Sequence, residues 1–265
     1  MTFPDILINP GCFCEEDKVY MQGDSSVSED FETSYIKIRD QEKGILSIDA
    51  IRKLPEVPKA NLHYNEWQVR QFSSRKLINY LSQKSKSIVV EVGCGNGWLS
   101  AMLARNLDAL VVGVDVQRTE LRQAACAFGE QQNLYFMYAN ILGDVFKKQS
   151  IDTIILAASV QYFENFNELI SKLLSLLKDT GEIHIIDSPF YGSQNDVSLA
   201  KERSERHFVL TGTPEMCGKY FHHSFRQLTQ YNHQVLYDPK SIISRLKRKV
   251  IKLSQGVFPW ICIWK

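Results

Sequence analysis

Residues 89–98 read Val-Val-Glu-Val-Gly-Cys-Gly-Asn-Gly-Trp and contain the strongest structural signal in this chain. The apolar run at their start predicts a buried strand, and three glycines at alternate positions predict a turn that leads into a helix. Glycine accepts backbone angles that side chains forbid, and its missing side chain leaves room for a ligand against the main chain. The stretch therefore predicts a turn that holds a small cofactor.

A second apolar run, Val-Val-Gly-Val over residues 111–114, ends in Asp115. This aspartate follows Gly93 by 22 residues. In doubly wound sheets, an acidic residue about 20 positions beyond the glycine turn accepts hydrogen bonds from the hydroxyls of a ribose. The two motifs together predict a nucleoside cofactor.

Two residues argue against a dinucleotide as that cofactor. The dinucleotide fingerprint is Gly-x-Gly-x-x-Gly, and Trp98 stands where its third glycine would be. Glu91, two residues before the turn, would repel a pyrophosphate but suits a ligand that carries an ammonium group. A cationic cofactor is therefore favoured, and a dinucleotide oxidoreductase is the least favoured of the enzyme classes.

The segment from Glu91 to Gly97, followed by Gly113-Val114-Asp115, resembles the first two motifs of class I S-adenosylmethionine-dependent methyltransferases. The resemblance extends over roughly residues 87–189. It implies an α/β, Rossmann-like fold, with a mostly parallel seven-stranded sheet, helices on both faces, a C-terminal antiparallel hairpin and an N-terminal extension. It also implies that S-adenosyl-L-methionine is the cofactor, with the turn along its methionine and ribose, Asp115 on the ribose and Glu91 near the amino-acid end.

Two further positions match the family more loosely. Asn140 follows the predicted third strand, where relatives place a polar residue against the adenine amine, and Ile141 would lie against the ring. Ser159 follows the fourth strand, in a segment that passes from the cofactor to the substrate pocket. Asn140 as a plain loop residue and Ser159 as a helix cap remain open alternatives. The residues expected to contact the cofactor are Glu91, Gly93, Cys94, Gly95, Asn96, Gly97, Asp115, Val116, Asn140, Ile141 and Ser159.

Apolar and amphipathic segments alternate beyond residue 87, and this alternation predicts strands joined by helices in a parallel sheet. Asn167 is the predicted cap of a helix that Gly181 ends, before a strand over 182–186. The C-terminal hairpin is predicted from residues 249–254 and 258–264. The predicted segments between residues 87 and 157 are 87–92, 98–105, 109–114, 120–128, 134–138 and 151–157.

The predicted domain organisation places an N-terminal arm and helix at 1–85, with a lid role, and the methyltransferase domain at 86–265. Residues 1–59 are acidic and irregular, and 65–81 show helical periodicity. Relatives cover their substrate with such extensions, so the resemblance makes Tyr64, Trp67 and Arg70 candidate lid residues, with plain helix packing as the alternative. An insertion at about 188–238 is expected to recognise the substrate.

The chemistry follows from the cofactor, because a sulfonium methyl group is already activated and needs mainly an aligned nucleophile. A general base is required only when the acceptor is a hydroxyl or an acidic carbon. The catalytic candidates are Tyr191, His222 and Asp187, and His223 is a further candidate base. A purely structural histidine is the alternative in each case.

Composition restricts the partners and the location. A net charge of +1 gives no field that would attract nucleic acid, and neither an apolar run of 18 residues nor a secretion signal is present. Scattered cysteines suggest no disulfide framework, and Cys12-x-Cys14 lacks zinc-site spacing. The predictions are a cytoplasmic location and no metal, nucleic acid or membrane partner.

The leading functional hypothesis is methyl transfer to an unidentified small molecule. The alternative is a non-catalytic S-adenosylmethionine-binding or regulatory protein of the same fold. Modification of RNA or protein lacks support, because Ala-Ala-Ser-Val-Gln-Tyr at 157–162 stands where an Asn-Pro-Pro-Tyr type segment would follow the fourth strand.

Overall fold

A computed structural model describes residues 2–10, 13–16, 18–22, 33, 37, 46–85, 87–241 and 256–265. The described residues form a nine-stranded sheet and a separate two-stranded one. The strands are β1 (Phe13–Glu16), β2 (Val19–Gln22), β3 (Ile88–Val92), β4 (Leu110–Asp115), β5 (Leu134–Tyr138), β6 (Ile151–Ala157), β7 (Leu177–Ile186), β8 (Phe190–Tyr191), β9 (His223–Ser224), β10 (Asn232–Tyr237) and β11 (Trp260–Trp264).

Six α-helices connect or flank these strands in the described part of the chain. None of them is long and apolar enough to cross a membrane. The helices are α1 (Ile48–Arg52), α2 (Tyr64–Leu81), α3 (Trp98–Asn106), α4 (Arg118–Phe128), α5 (Phe166–Leu176) and α6 (Gln194–Leu210).

The large sheet has the strand order β1-β2-β5-β4-β3-β6-β7-β11-β10. The strands from β2 to β7 in this order run parallel to one another, whereas β11, β10 and β1 are antiparallel to their neighbours. Every residue of β3 is buried, as expected for a central strand covered on both faces. The predicted mostly parallel sheet with a C-terminal antiparallel hairpin is confirmed.

Alternate residues of the central strands feed two hydrophobic cores, one on each face of the sheet. Val90 and Val92 belong to the core that α5 covers. Val89 belongs to the core covered by α1, α2, α3 and α4. Because Glu91 shares the parity of Val89, its carboxyl group enters the second core, directly below the glycine turn.

The prediction of an irregular N-terminal arm is wrong for the residues described there. Strand β2 pairs in parallel with β5, with Tyr20 opposite Met137, and β1 pairs antiparallel with β2. Phe3 begins a short 3-10 helix and is fully buried against the same part of the sheet. The arm therefore adds two strands to the seven expected from the family, because a short apolar segment can complete a free sheet edge.

Three local predictions at the other end of the chain also need correction. The hairpin pairs β11 with β10 (Asn232–Tyr237), which falls within the predicted insertion, while residues 249–254 lie outside those described. Asn165, not Asn167, caps α5, since its side chain accepts the Glu168 N–H at 3.1 Å. Helix α5 ends at Leu176, and β7 begins at once and runs through Gly181.

The packing of the arm generates a stability prediction. The Phe3 ring stacks on Tyr135 with centroids 4.7 Å apart and meets the Tyr20 ring edge-on at the same distance. Phe3→Ala should lower the free energy of unfolding by about 3 to 5 kcal/mol in urea denaturation, because it leaves a cavity among buried rings. Ile8→Ala is the matched control, since Ile8 is 38% exposed. Equal losses in the two variants would contradict this packing.

Candidate functional site

The glycine turn between β3 and α3 has a backbone shape that only glycine fits at two positions. Gly93 and Gly97 have φ angles of 76° and 74°, in the left-handed region. A Cβ atom on Gly93 would lie 2.5 Å from the Ser159 Cβ, and one on Gly97 would lie 2.5 Å from a ring carbon of Phe136. Ser159 and Phe136 therefore pack closely against one side of this main chain, and the cavity lies on the other side.

Asp115, at the end of β4, holds this turn in place. One carboxylate oxygen accepts the Gly95 N–H at 2.7 Å, and the other accepts the N–H groups of Val116 at 2.7 Å and Gln117 at 3.0 Å. The two motifs found in the sequence are thus joined through backbone hydrogen bonds to one side chain. Each carboxylate oxygen still has lone-pair capacity for a further donor.

Glu91 lies beneath the turn and is only 2% exposed. The Ser100 hydroxyl of α3 donates a hydrogen bond to it at 2.5 Å. Burial raises the pKa of Glu91 to about 8; the Ser100 bond opposes this shift, and the charge of Asp115 adds to it. A nearby cation would favour the ionised form of this group.

Glu120 is a third acidic group at the turn, and the sequence reading missed it. It is buried in the first turn of α4, and its carboxylate would lie 3.3 Å from a Cβ on Gly95. Burial first, and then the Glu120 charge, raise the pKa of Asp115 to about 7 against its three backbone donors. Its place five residues after Asp115, in the first turn of the next helix, was a usable signal. Three carboxyl groups therefore surround one turn.

A cavity of about 510 Å³ opens at this turn and continues away from it. Its lining includes Glu91, Gly93, Cys94, Gly95 and Asn96 of the predicted cofactor set. Three other parts of the chain complete its walls: helix α2, the segments that follow β6 and β7, and helix α6 with the loop after it. The residues from these parts include Glu66, Trp67, Arg70, Gln161, Tyr162, Asp187, Tyr191, Arg203, His207, Phe208, Tyr220 and His222.

Helix α2 contributes two of the three residues predicted for the lid. Trp67 packs edge-on against Trp98 at 5.5 Å between centroids, so α2 contacts the first residue after the glycine turn. The Arg70 guanidinium lies 5.0 Å above the Trp67 ring and forms an ion pair with Glu66 at 2.6 Å. Tyr64 does not line the cavity, and a lid role for this helix stays a prediction.

Asp187 lies in the cavity wall at the carboxyl end of β7. Its φ angle of 53° lies in the left-handed region, which aspartate adopts more often than most residues other than glycine. The Ser73 hydroxyl of α2 donates to its carboxylate at 2.7 Å. Burial raises the pKa of Asp187 to about 6, although the Ser73 bond and the charge of Arg70 oppose the shift.

The two neighbouring histidines have different surroundings. His222 lines the cavity, with its ring 5.5 Å from that of Tyr191 and 5.3 Å from that of Tyr220. Neither of its ring nitrogens has a hydrogen-bond partner among the residues described. His223 instead points into the interior, where its Nε2 lies 3.1 Å from the Val160 carbonyl oxygen. Of these two histidines, only His222 therefore forms part of the cavity wall.

Several predicted cofactor residues do not line this cavity. Asn140 accepts the Leu142 N–H at 3.1 Å, and Ile141 is buried in the hydrophobic core. The Ser159 hydroxyl donates to the Val92 carbonyl at 2.6 Å, directly under the turn. The cavity lining also leaves out Gly97, Asp115 and Val116. Cofactor contacts for all six residues stay predictions.

Gln161 is a second residue missed from the sequence, and it connects three segments of the cavity wall. Its amide nitrogen donates to the Ala158 carbonyl at 2.6 Å, and its amide oxygen accepts the Ser188 hydroxyl at 3.2 Å. Its backbone carbonyl accepts the Phe221 N–H at 2.7 Å. These bonds hold the segments after β6 and β7 against the loop that carries His222.

A separate group of possible metal ligands lies away from this cavity, with Glu182, His184 and Cys262 atoms within 4.8 Å of one another. Trp260 Nε1 donates to His184 Nδ1 at 3.1 Å, so the other ring nitrogen of His184 keeps its proton. Lys84 pairs with Glu182 at 2.5 Å. Burial would raise the pKa of Glu182, but bonds from His184 and Lys84 hold it at about 2. The group is an ionic network, and Lys84 already supplies its cation.

Comparison with known proteins agrees with this architecture. A family model described as a methyltransferase domain matches residues 89–181. The match covers about a third of the chain, and over these residues the chain is similar to S-adenosylmethionine-dependent methyltransferases. Methyltransferase GfsG of Streptomyces halstedii is 25% identical over 153 residues, which cover 53% of this chain and 55% of that protein. The chain spans about half the length of the curated relatives that it matches first.

Two solved methyltransferase structures, both with bound S-adenosyl-L-homocysteine, share the fold. Geranyl diphosphate C-methyltransferase from Streptomyces coelicolor A3(2) has a TM-score of 0.56 at 14% identity, covering 91% of this chain and 98% of its own. Magnesium protoporphyrin IX methyltransferase from Synechocystis PCC 6803 has a TM-score of 0.55 at 14% identity, covering 88% and 100%. At this identity the likeness concerns the fold alone.

The buried carboxyl group of Glu91 makes the stability of this protein depend on pH. Between pH 4.5, the ordinary pKa of a glutamate, and about pH 8, the folded chain keeps a proton that the unfolded chain releases. The free energy of unfolding contributed by this group therefore falls as pH rises through that window. In the Glu91→Gln variant this position no longer titrates, and the glutamine amide oxygen can still accept a hydrogen bond from the Ser100 hydroxyl.

We expect Glu91→Gln to be more stable than the wild type at pH 8 by roughly 4 kcal/mol, since the pKa rises from 4.5 to about 8 and one pKa unit corresponds to about 1.4 kcal/mol. At pH 5 the two proteins should differ little. Urea denaturation at both pH values measures the difference. Glu130→Gln, at an exposed glutamate, is the control and should show no such change with pH. If the free energies of unfolding of Glu91→Gln and the wild type differed by the same amount at both pH values, Glu91 would not hold a buried proton.

Proposed function

We propose that this chain transfers the methyl group of S-adenosyl-L-methionine to a small molecule that binds in the 510 Å³ cavity. The observation that carries the proposal is that one cavity is lined both by the acidic glycine turn and by aromatic and basic side chains from other elements. A cationic cofactor suits the first part, and an acceptor suits the second. The activity and the cytoplasmic location of the whole protein are part of this proposal.

The proposed contacts divide the cofactor between two groups of residues. Glu91 and the turn from Gly93 to Gly97 would bind the methionine end, where the ammonium and sulfonium charges favour ionised carboxyl groups. Asp115 and Val116 would bind the ribose, and Asn140 with Ile141 the adenine. Ser159 would support the turn from below, as its bond to the Val92 carbonyl suggests.

The proposed reaction needs alignment more than it needs acid–base groups. Holding the acceptor atom about 3 Å from the sulfonium methyl, in line with the carbon–sulfur bond, could supply roughly 7 to 11 kcal/mol of the barrier. Tyr191 and His222 in the far wall would orient the acceptor. Asp187, with a pKa of about 6, could accept a proton near neutral pH.

The role of Asp115 can be measured through cofactor affinity. Asp115→Ala should weaken S-adenosylhomocysteine binding by about 1 to 3 kcal/mol, because the ribose loses a charged partner and the turn loses its anchor. Isothermal titration calorimetry would show this as a Kd roughly 5- to 150-fold higher. Asp108→Ala, at an exposed aspartate, should leave the Kd unchanged. If Asp115→Ala matched this control, the proposed ribose contact would be wrong.

Transfer itself can be tested without knowing the acceptor. The full chain is incubated with trideuteromethyl S-adenosylmethionine and a small-molecule extract, and products that gain the label are found by mass spectrometry. A labelled product that requires the protein supports the proposal. Cofactor binding without any labelled product would instead favour the alternative, a binding or regulatory protein of the same fold. Absence of cofactor binding in calorimetry would refute both.

A further inference from the structure

The charges that line the cavity are segregated along its length. Glu91 and Glu120 lie at the glycine turn, together with the Asp115 carboxylate that holds it. The opposite wall, from α6 and the loop after it, carries Arg203, His207 and His222. The lining contributed by β3 and α4 is therefore acidic, whereas the lining contributed by α6 and the loop after it carries an arginine and two histidines. We call the second region the basic wall and define it by Arg203, Tyr191 and His222.

The acidic groups between these two ends already have partners. Glu66 is paired with Arg70 at 2.6 Å. Asp187 accepts the Ser73 hydroxyl and lies close enough to Arg70 for that charge to lower its pKa. Arg70 is thus matched by two carboxyl groups, and this middle region offers little net charge to a ligand.

Arg203 is different. Among the residues that the structure describes, no carboxylate forms an ion pair with it, and it lies close enough to the Tyr191 hydroxyl for its charge to favour a lower pKa of that group. Arg206, on the same helix, does not line the cavity and donates to the Glu202 carbonyl at 3.3 Å. Of these two arginines, only Arg203 offers an unpaired cation to a molecule in the cavity.

His222 adds hydrogen-bonding capacity beside this cation. Burial lowers its pKa, and the charges of His223 and Arg203 act in the same direction, whereas Glu205 acts against them. The ring is therefore neutral at pH 7, with one nitrogen able to donate and the other to accept. Both nitrogens are buried and have no hydrogen-bond partner within the described ranges, so the donor and acceptor capacity of this ring is unused.

Aromatic rings cover the space next to this polar group. Tyr220 contacts the rings of Tyr162, Phe208 and His222 at centroid distances of 5.7, 5.9 and 5.3 Å. Such a wall favours a flat apolar body, because rings stack or meet edge to face at these distances. The combination of one unpaired guanidinium, a hydroxyl and a neutral imidazole beside this wall is suited to an anionic oxygen group.

We propose that the methyl acceptor is an anion whose carboxylate or phosphate binds at the basic wall, with a flat apolar body against Tyr162 and Tyr220. This inference rests on the proposed function, since it assigns the far end of the cavity to the acceptor. It excludes a simple amine acceptor, whose ammonium would meet Arg203 rather than a free carboxylate.

The test measures ligand binding to the full chain saturated with S-adenosylhomocysteine. Benzoate and phenyl phosphate are the two anionic probes, and benzylamine and benzyl alcohol are matched cationic and neutral probes. We expect at least one anion to bind and the amine and alcohol to bind at least tenfold more weakly. Arg203→Gln should raise the Kd of the anion at least tenfold, and Arg206→Gln should leave it unchanged. His222→Phe, which keeps an aromatic ring, should also weaken the binding of the anion.

Three results would overturn the inference: no preference for either anion over the amine, tighter binding of the amine, or equal effects of Arg203→Gln and Arg206→Gln. The affinity for S-adenosylhomocysteine, measured first in every variant, separates the two proposals and confirms a folded protein. Normal cofactor binding without anion preference refutes only the acceptor class. A wild-type chain that does not bind the cofactor refutes the proposed function and this inference with it.

Discussion

The carboxyl groups of Glu91, Asp115 and Glu120 surround one glycine turn. The rest of the site depends on the contacts that offset the repulsion between these groups. Glu91 is buried below the turn, where it accepts a hydrogen bond from the Ser100 hydroxyl. Asp115 accepts hydrogen bonds from backbone N–H groups. Both have pKa values raised toward or above neutrality, chiefly by burial. A cation placed above the turn would reverse this penalty by favouring the ionised forms. Electrostatics and backbone shape therefore select the same kind of ligand.

The central part of the fold could be predicted because its signals are local. Strands β3, β4, β5 and β6 are apolar runs closed by turns, and the structure gives nearly the bounds that those runs suggest. The strands that escaped prediction owe their conformation to distant partners. Strand β2 pairs with β5, more than 100 residues away, and β10 is polar and largely exposed, so it has no amphipathic pattern to reveal it. Pairing with β11, rather than its own composition, makes it a strand.

The same distinction explains the site. Strand ends are visible in a sequence, and the positions of Glu91 and Asp187 at two of them followed from the order of elements. Which face a helix turns to a cavity is not visible, so Trp67 was found only through family resemblance, and Glu120 and Arg203 were not found at all. Their importance comes from tertiary placement: Glu120 lies beside Gly95, and Arg203 lies in the cavity wall that α6 contributes.

The two strands contributed by the N-terminal arm have a consequence for how this protein can be handled. If residues 1–22 were removed, β5 would become the outer strand, with a free row of backbone N–H and C=O groups next to the exposed rings of Tyr135 and its neighbours. Unpaired strands of this kind recruit other chains. A truncated version should therefore tend toward self-association, even with every residue of the cofactor turn intact.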